Sequence, residues 1–382
     1  MKRLVVFFDG TWNRPDREDE ITNVVKLQRA VPAADALGVR QLVHYEIGIA
    51  TAPELGRLTF TVGAIGLGVG ERICGGYRFL CEAYEEGDEI YLVGFSRGAF
   101  QARSLAGMVA LAGIARQASP EAVAEVWDCY EQDKLGPDAA RLAALRAKAH
   151  YPVPIKCVAV WDTVGNLGIP LIGRAMIKEL LPLHDTELSP QVEVGLHALA
   201  IDEPRGPFAP TLWTVRKGTA PPAGQLIEQV WFAGCHANVG GGYKDSALSD
   251  IALLWLAERM AQTTPLAVDL EHLRRTTRPD PLGELVSPTS DGIYRVSRLL
   301  PFVRLLRQQR KGVSALRRAI LGMWRTSLLP GDRETVNESI HPSVLARYGK
   351  RAPVRRGGTL QRRRYVPRTV RAALKAQKRR RG

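Results

Sequence analysis

The residues best suited to chemistry lie in the pentapeptide Gly94-Phe95-Ser96-Arg97-Gly98. The apolar run before it predicts a strand over Glu89–Val93, and the segment after it, rich in alanine and leucine, predicts a helix over Gly98–Ile114. A Gly-x-Ser-x-Gly turn between a strand and a helix strains the backbone of its serine and exposes the hydroxyl at the edge of a sheet. The pattern therefore predicts a nucleophile at Ser96. The alternative is an ordinary turn whose serine caps the helix.

A serine hydroxyl is a weak nucleophile unless a base takes its proton, and histidine is the usual base. Of the six histidines after Ser96, only His236 comes directly after a clear apolar strand, and it leads into the glycine cluster Gly240–Gly242. Because such a loop can bend towards the serine, we expect His236 to be the base. The alternative is a loop histidine that bonds a carbonyl group.

An acidic residue must orient the histidine, and the expected chain order is serine, acid, histidine. Asp162 ends the apolar strand predicted over Pro154–Trp161 and lies between Ser96 and His236 in the chain. It is therefore our candidate acid. Asp202 and Asp245 are the alternative acids. Asp162 would otherwise have only a structural role, as an aspartate at the end of a strand that caps the next turn.

Backbone N–H groups near the serine would stabilise the negative charge that develops on a substrate oxygen. The N–H of Arg97 is one candidate donor, and that of Gly10 or Thr11, at the end of the first predicted strand, is a second. Asp9 in the same turn would either support the site or bind a metal. No cluster of metal ligands is visible beside Asp9, so we expect neither a metal nor another cofactor.

Strands that alternate with helices over some 260 residues predict an α/β fold of the α/β-hydrolase type, with a mostly parallel sheet covered by helices on both faces. We expect one catalytic domain over residues 1–349. The proline-rich insertion 166–225 is expected to form a lid or pocket. Residues 294–329 hold nine basic and no acidic residues among many apolar ones, and predict basic amphipathic helices.

The net charge of +14 arises entirely from the last segment of the chain, residues 350–382. Residues 350–382 contain 14 Lys and Arg and no Asp or Glu, and the other 39 basic residues match the 39 acidic ones. We expect a disordered basic tail, either merely solvated or held on an anionic membrane surface. Nucleic-acid binding is a weaker hypothesis, because Tyr365 is the only aromatic residue there for stacking on bases. The oligomeric state stays unknown.

The N-terminal apolar run stops after five residues, which is short of a signal peptide. We expect a cytoplasmic protein, with peripheral membrane association and delivery by a machine that needs no cleaved signal as open alternatives. The five cysteines are odd in number and none has Cys-x-x-Cys spacing, which argues against a disulfide framework and fits a reducing compartment.

Five segments together resemble a known family: the turn at Ser96 and the stretches Phe8–Asn13, Val160–Gly165, His197–Glu203 and Trp231–Tyr243. They are similar to the uncharacterised α/β-hydrolase domain family, which includes the catalytic domain of phospholipase effectors of bacterial type VI secretion. The resemblance runs from about residue 2 to residue 350. It implies that Ser96 is the nucleophile, that His236 is the base and that Asp162 is the acid. It also implies hydrolysis of lipid esters. Relatives usually carry an aspartate where this chain has Asn238.

The leading hypothesis is a serine hydrolase that cleaves carboxylic esters, of a lipid or phospholipid, through an acyl-serine intermediate. A soluble esterase or thioesterase acting on small acyl substrates is the alternative enzyme. A nucleic-acid-binding protein and an inactive hydrolase-like interaction protein are the alternatives from other classes. The fold alone does not fix a substrate.

Overall fold

A computed structural model describes residues 1–10, 20–48, 62–132, 138–164, 186–205, 208–288, 304 and 333–381 of the chain. Thr11, most of the basic segment 294–329 and part of the insertion 166–225 lie outside these residues. The predictions made for them therefore remain predictions.

Seven parallel strands form the central sheet. They are β1 Arg3–Phe8, β2 Gln41–Glu46, β3 Glu89–Phe95, β6 Ile155–Trp161, β7 Val192–Ala200, β9 Leu226–Phe232 and β12 Glu338–Ile340. Their order across the sheet is β12-β9-β7-β6-β3-β1-β2, and each neighbouring pair is parallel. The short strands are β4 Ile114–Ala115, β5 Ala149–His150, β8 Thr214–Arg216, β10 Leu285–Ser287, β11 Arg333–Thr335, β13 Arg351–Arg356 and β14 Thr359–Arg364.

Helices cover both faces of the sheet, as the sequence predicted for an α/β fold. The described helices are α1 Asn23–Arg29, α2 Val62–Ala83, α3 Arg97–Ala112, α4 Pro120–Gln132, α5 Ala139–Ala147, α6 His236–Gly240, α7 Ala247–Thr263, α8 Leu270–Thr276, α9 Pro342–Arg347 and α10 Arg368–Arg381. Helices α2 to α5 pack on one face, and α1, α7 and α8 pack on the other.

Strand β1 shows why this sequence makes a sheet that is buried on both sides. Its side chains alternate between the two hydrophobic cores: Leu4, Val6 and Phe8 enter one, and Val5 and Phe7 enter the other. All five are fully buried. A continuous apolar run is the expected pattern for a parallel strand covered on both faces.

The strand order reverses at β1, because β2 pairs with one edge of β1 and β3 with the other. In open α/β sheets, ligands bind in the crevice outside the carboxyl ends of the strands at such a point. Asp9 follows β1 and Ser96 follows β3, so both lie at this crevice. The topology therefore predicts a ligand site at the edge of the sheet where Ser96 lies.

The insertion 166–225 contains a central strand that the sequence analysis did not recognise. Strand β7 lies between β6 and β9. Its apolar pattern is interrupted by Glu193, Gly195 and His197, although His197 is fully buried. His197 Nε2 accepts a hydrogen bond from the N–H of Thr163 at 3.1 Å. Burial first, and then the charge of Arg103, lower the pKa of His197 to about 3, so the ring stays neutral in the core.

The prediction of a disordered tail over residues 350–382 differs from the structure. Strands β13 and β14 form a hairpin that pairs with β10, and α10 follows. Two apolar side chains explain the order, because Tyr365 and Val370 are buried in the same core as α7. The basic residues therefore lie on a folded unit, which packs against the rest of the protein through the side chains of Tyr365 and Val370.

Within the described parts of the chain, no helix has both the length and the hydropathy needed to cross a membrane. The five cysteines are free thiols, three of them buried.

Candidate active site

The turn at Ser96 is held by close packing of backbone on backbone. Ser96 has φ 61°, which lies in the left-handed region that side chains rarely adopt. A Cβ added to Gly94 would lie 2.3 Å from the carbonyl oxygen of Gly98, and one added to Gly98 would lie 2.2 Å from that of Phe8. Only glycine fits at both positions. The sharp turn therefore places Ser96 at the start of α3, beside the end of β1.

Three predicted residues meet at this edge of the sheet. Ser96 Oγ lies 2.7 Å from His236 Nε2, and His236 Nδ1 lies 2.6 Å from Asp162 Oδ2. Asp162 follows β6, and His236 begins α6 directly after β9. An ionised carboxylate only accepts hydrogen bonds, so Nδ1 carries the proton and Nε2 is free to accept from the serine hydroxyl. This is the arrangement that general-base activation of a serine requires.

The ring of His236 is buried between two aromatic side chains. The ring centroid of Phe95 lies 4.6 Å away, and that of Phe208 lies 5.1 Å away, edge to face. Burial lowers the pKa of His236 below 6.5, although the hydrogen bond with Asp162 opposes this change. The imidazole is therefore neutral at neutral pH, which is the form that accepts a proton.

Asp162 is completely buried, and two groups besides the His236 ring donate hydrogen bonds to its carboxylate. Arg304 donates to both carboxylate oxygens, at 2.5 Å to Oδ1 and 3.0 Å to Oδ2, and the N–H of Ala200 donates to Oδ1 at 3.0 Å. Burial would raise the pKa of Asp162, but the charge of Arg304 and the hydrogen bond from His236 outweigh it and hold that pKa well below its usual range. The carboxylate is therefore ionised despite its burial.

The alternative acids lie elsewhere. Asp202 Oδ2 accepts from the N–H of Gly234 and from the hydroxyl of Tyr365, each at 2.7 Å. Burial raises the pKa of Asp202 to about 6. Asp245 is exposed, and its carboxylate accepts from the N–H of Ala247. The carboxylate bonded to the His236 ring is that of Asp162.

Glu203, the neighbour of Asp202, is a buried carboxylate that was not among the residues predicted for the site. It accepts from the backbone N–H of His236 at 3.2 Å and forms an ion pair with Arg205 at 2.7 Å. Arg205 in turn lies over the ring of Phe208, 3.7 Å from its centroid. Phe208 contacts the histidine ring, and Glu203 bonds the histidine backbone. Glu203, Arg205 and Phe208 together therefore hold both the backbone and the ring of His236. Its only sequence signal was its place in a motif of the resemblance.

Asp9 is bound by groups of the protein itself. Its carboxylate accepts from the N–H of Gly10 at 2.6 Å and from the hydroxyls of Thr22 and Tyr45 at 2.9 and 2.7 Å. The first bond occupies the N–H of Gly10 that the sequence suggested as an oxyanion donor. Burial raises the pKa of Asp9. Among the described residues, no group of three or more His, Cys, Asp or Glu side chains is arranged to hold a metal.

Asn238, where the resemblance implied an aspartate, is a buried structural residue of the histidine loop. Its Oδ1 accepts from the N–H of Cys235 at 3.3 Å and from that of Val286 at 3.0 Å, and its Nδ2 donates to the carbonyl of Glu284 at 3.1 Å. The amide uses both its acceptor and its donor, so the side chain ties the start of α6 to the segment around β10.

A cavity of about 550 Å³ lies at the other edge of the sheet. Its lining includes the segment before β7, the start of β9 and the second half of α3, represented by Leu188, Ile227 and Ala110. The three residues of the candidate site follow the carboxyl ends of their strands, whereas this cavity lies at the amino ends. It is therefore separate from the candidate site.

The fold and the site define a class: an α/β protein with a serine, a histidine and an aspartate in hydrogen-bonded sequence at the carboxyl edge of a parallel sheet. Residues 2–259 match the family model described as the type VI secretion phospholipase effector Tle1-like catalytic domain. The chain belongs to this family.

Individual relatives match this chain at low sequence identity or over only part of their length. The chain is 30% identical over 236 residues to the uncharacterized protein YEL023C of Saccharomyces cerevisiae, a match that covers 56% of this chain and 33% of that protein. A solved structure of an uncharacterized protein from Pseudomonas aeruginosa is 16% identical, with a TM-score of 0.43 over 73% of this chain and 49% of the other. The Tle1 effector bound to the VgrG spike is 17% identical, with a TM-score of 0.38 over 64% of this chain and 52% of the other. The chain thus spans about a third to a half of these proteins.

Proposed function

We propose that this chain is a serine hydrolase that cleaves carboxylic esters of lipids, with phospholipids as the main substrate class. The observation that carries the proposal is the continuous hydrogen-bonded path from Ser96 Oγ through His236 to Asp162, with links of 2.7 and 2.6 Å. Family membership supports the lipid substrate. The expected roles are nucleophile for Ser96, general base for His236 and orienting acid for Asp162.

In the first half of the reaction, Ser96 Oγ attacks the carbonyl carbon of the ester while His236 Nε2 takes the hydroxyl proton. The carbonyl oxygen becomes an oxyanion. Arg97 is the first residue of α3, so its backbone N–H lies at the positive end of the helix dipole and is the expected donor to that oxygen. When the tetrahedral intermediate collapses, the alcohol leaves with the proton of His236, and the acyl group stays on Ser96.

In the second half, His236 takes a proton from water, and the resulting hydroxide attacks the acyl-serine. Collapse of this second intermediate breaks the bond to Ser96 Oγ, which recovers its proton from His236, and a fatty acid is released. Asp162 stays ionised throughout and stabilises the imidazolium in both halves. The low pKa that Arg304 and His236 impose on this buried carboxylate supports that role.

A labelling experiment tests the nucleophile. A fluorophosphonate probe should react with the wild-type protein and not with Ser96→Ala, while Ser104→Ala, a matched change within α3, should keep both labelling and turnover. Hydrolysis of a panel of phospholipids and p-nitrophenyl esters then defines the substrate. Turnover of short soluble esters or thioesters without lipid turnover would favour the esterase alternative. A folded wild type that neither labels nor turns over any ester would refute the proposal.

We also propose that the basic face of the C-terminal hairpin holds the enzyme on anionic lipid. Strand β14 is exposed along its whole length and forms the edge of its sheet. Its three consecutive arginines, Arg362, Arg363 and Arg364, bond carbonyl or amide oxygens. Each basic residue near an anionic bilayer contributes about 1 kcal/mol of attraction. An exposed charged edge also prevents pairing with other strands, which is the purely structural explanation.

Charge reversal tests this face more cleanly than deletion of the tail, because Tyr365 and Val370 are buried parts of the fold. The double variant Arg362→Glu/Arg363→Glu should bind phosphatidylglycerol vesicles about tenfold or more weakly than the wild type. The control is Lys148→Glu, which reverses the charge of an exposed residue that is distant in sequence from the hairpin. Turnover of a soluble ester should be equal in all three proteins. Equal vesicle binding by the double variant would refute the role of this face.

A further inference from the structure

Arg304 is a buried cation whose two terminal nitrogens, Nη1 and Nη2, bond groups of the candidate site. It is 0% exposed, as is Asp162. Besides its two bonds to the Asp162 carboxylate, it donates to the carbonyls of Ala200 at 2.7 Å and Phe208 at 2.6 Å. Arg304 lies outside residues 2–259, where the family model matches. No motif pointed to it.

The bonds of Arg304 distinguish the two oxygens of Asp162. Oδ1 receives Nη1 of Arg304 at 2.5 Å and the N–H of Ala200 at 3.0 Å, whereas Oδ2 faces His236 Nδ1 at 2.6 Å and receives only the longer bond from Nη2. A bidentate guanidinium fixes the plane of a carboxylate as well as its charge. The carboxylate plane is therefore set by Arg304, with Oδ2 turned to the histidine.

The C-terminal helix holds Arg304 in turn. Thr369, in the first turn of α10, donates its hydroxyl to the carbonyl oxygen of Arg304 at 2.7 Å. Thr369 is buried, and the adjacent Val370 is fully buried in the core. A path of short contacts thus runs from α10 through Arg304 and Asp162 to the His236 ring.

We propose that Arg304 is a positioning residue that orients the Asp162 carboxylate towards His236. The C-terminal helix supports this function through Thr369. The inference rests on the proposed hydrolase function for its effect on turnover. The orientation and ionisation of the Asp162–His236 pair are physical properties that can be measured without turnover.

The perturbation is Arg304→Gln, with Arg304→Lys as the conservative variant. Loss of the fixed carboxylate plane should lower kcat/KM for a soluble p-nitrophenyl ester about 100-fold, mostly through kcat, because small errors in catalytic geometry have effects of that size. Loss of a nearby positive charge favours the imidazolium, so the acid limb of the pH profile should move to higher pH. Arg304→Lys keeps the charge and should restore most of the pH profile, but only part of the rate.

Arg347→Gln is the matched control, since Arg347 is also fully buried and donates to backbone carbonyls, those of Pro281 and Gly283. It should lower the melting temperature and leave the pH profile of the remaining activity unchanged. Thr369→Val should reduce kcat/KM about fivefold through the loss of one hydrogen bond. If Thr369→Val lowers only the melting temperature, the role given to α10 is wrong.

NMR titration of the His236 ring separates this inference from the proposed function. Its pKa should rise in Arg304→Gln relative to the wild type, whether or not the protein turns over esters. If fluorophosphonate labelling and turnover fail in the wild type but the His236 titration shifts as stated, the hydrolase proposal falls and the positioning role stands. A folded Arg304→Gln protein whose His236 pKa and pH profile both equal those of the wild type overturns the positioning role.

Discussion

Gly98→Ala tests whether the turn at Ser96 depends on backbone packing. A Cβ at position 98 would lie 2.2 Å from the carbonyl oxygen of Phe8 and 2.6 Å from that of Asp9. Both atoms belong to the backbone at the end of β1, in the middle of the sheet, so they cannot rotate away as a side chain would. Helix α3 and β1 must therefore separate by on the order of 1 Å to reach ordinary contact distances.

The magnitude follows from two opposing effects. Overpacking of a core costs up to about 3 kcal/mol, and contact with a fixed backbone belongs at the upper end of that range. Alanine favours a helix over glycine by about 1 kcal/mol. The free energy of unfolding should therefore fall by about 2 kcal/mol or more. A displacement of Ser96 on the order of 1 Å relative to His236 should also lower kcat about 100-fold.

Urea unfolding and p-nitrophenyl ester turnover measure the two effects. The control is Gly107→Ala in the same helix, where the new Cβ would lie 3.1 Å from the ring and hydroxyl of Tyr130. That ring can shift, so stability should stay within about 1 kcal/mol of the wild type, with unchanged kcat. Wild-type stability and turnover in Gly98→Ala would refute the packing argument for the turn.

Three further predictions concern titration and buried polar groups. Because the pKa of His236 is lowered, kcat/KM should rise with pH to a plateau, with its midpoint below pH 6.5 in a profile from pH 4 to 9; a midpoint above 7 would contradict a buried neutral base. The pKa of Asp202 is raised from 3.8 to about 6, so the folded state loses stability as the pH rises between these values. Asp202→Asn should therefore raise the free energy of unfolding at pH 8 by on the order of 1–2 kcal/mol, reduced by solvent screening because the group is partly exposed, and should give no gain at pH 4. Asn238→Asp would replace the donor to the Glu284 carbonyl with an acceptor, and urea unfolding at pH 7 should show a loss of about 1–3 kcal/mol; equal stability would mean that the amide is not needed there.

Much of the sheet could be predicted from the sequence because its strands are continuous apolar runs. The strand predicted over Pro154–Trp161 begins one residue before β6 and ends at the same residue, and the strand before Ser96 extends only two residues further than predicted. Strand β7 was missed because a buried histidine, a glycine and a glutamate break its pattern. The hairpin at the end of the chain was missed because its order depends on Tyr365 and Val370, two buried residues among many charges.

The sequence by itself determined the residue types and the local geometry at the site. Glycines on both sides of Ser96 permit the turn, and Asp162 and His236 follow strands, so all three had to lie at the same edge of a parallel sheet. These features are local, because they depend on the pattern of a few neighbouring residues.

Tertiary structure alone decided what surrounds those residues. The choice of Asp162 over Asp202 as the partner of His236 depends on the order of strands β6, β7 and β9 in the sheet. The ion pair of Asp162 with Arg304 joins residues 142 positions apart. Such pairings leave no periodicity or spacing in the chain, because they arise only when separate elements pack together and bury both charges.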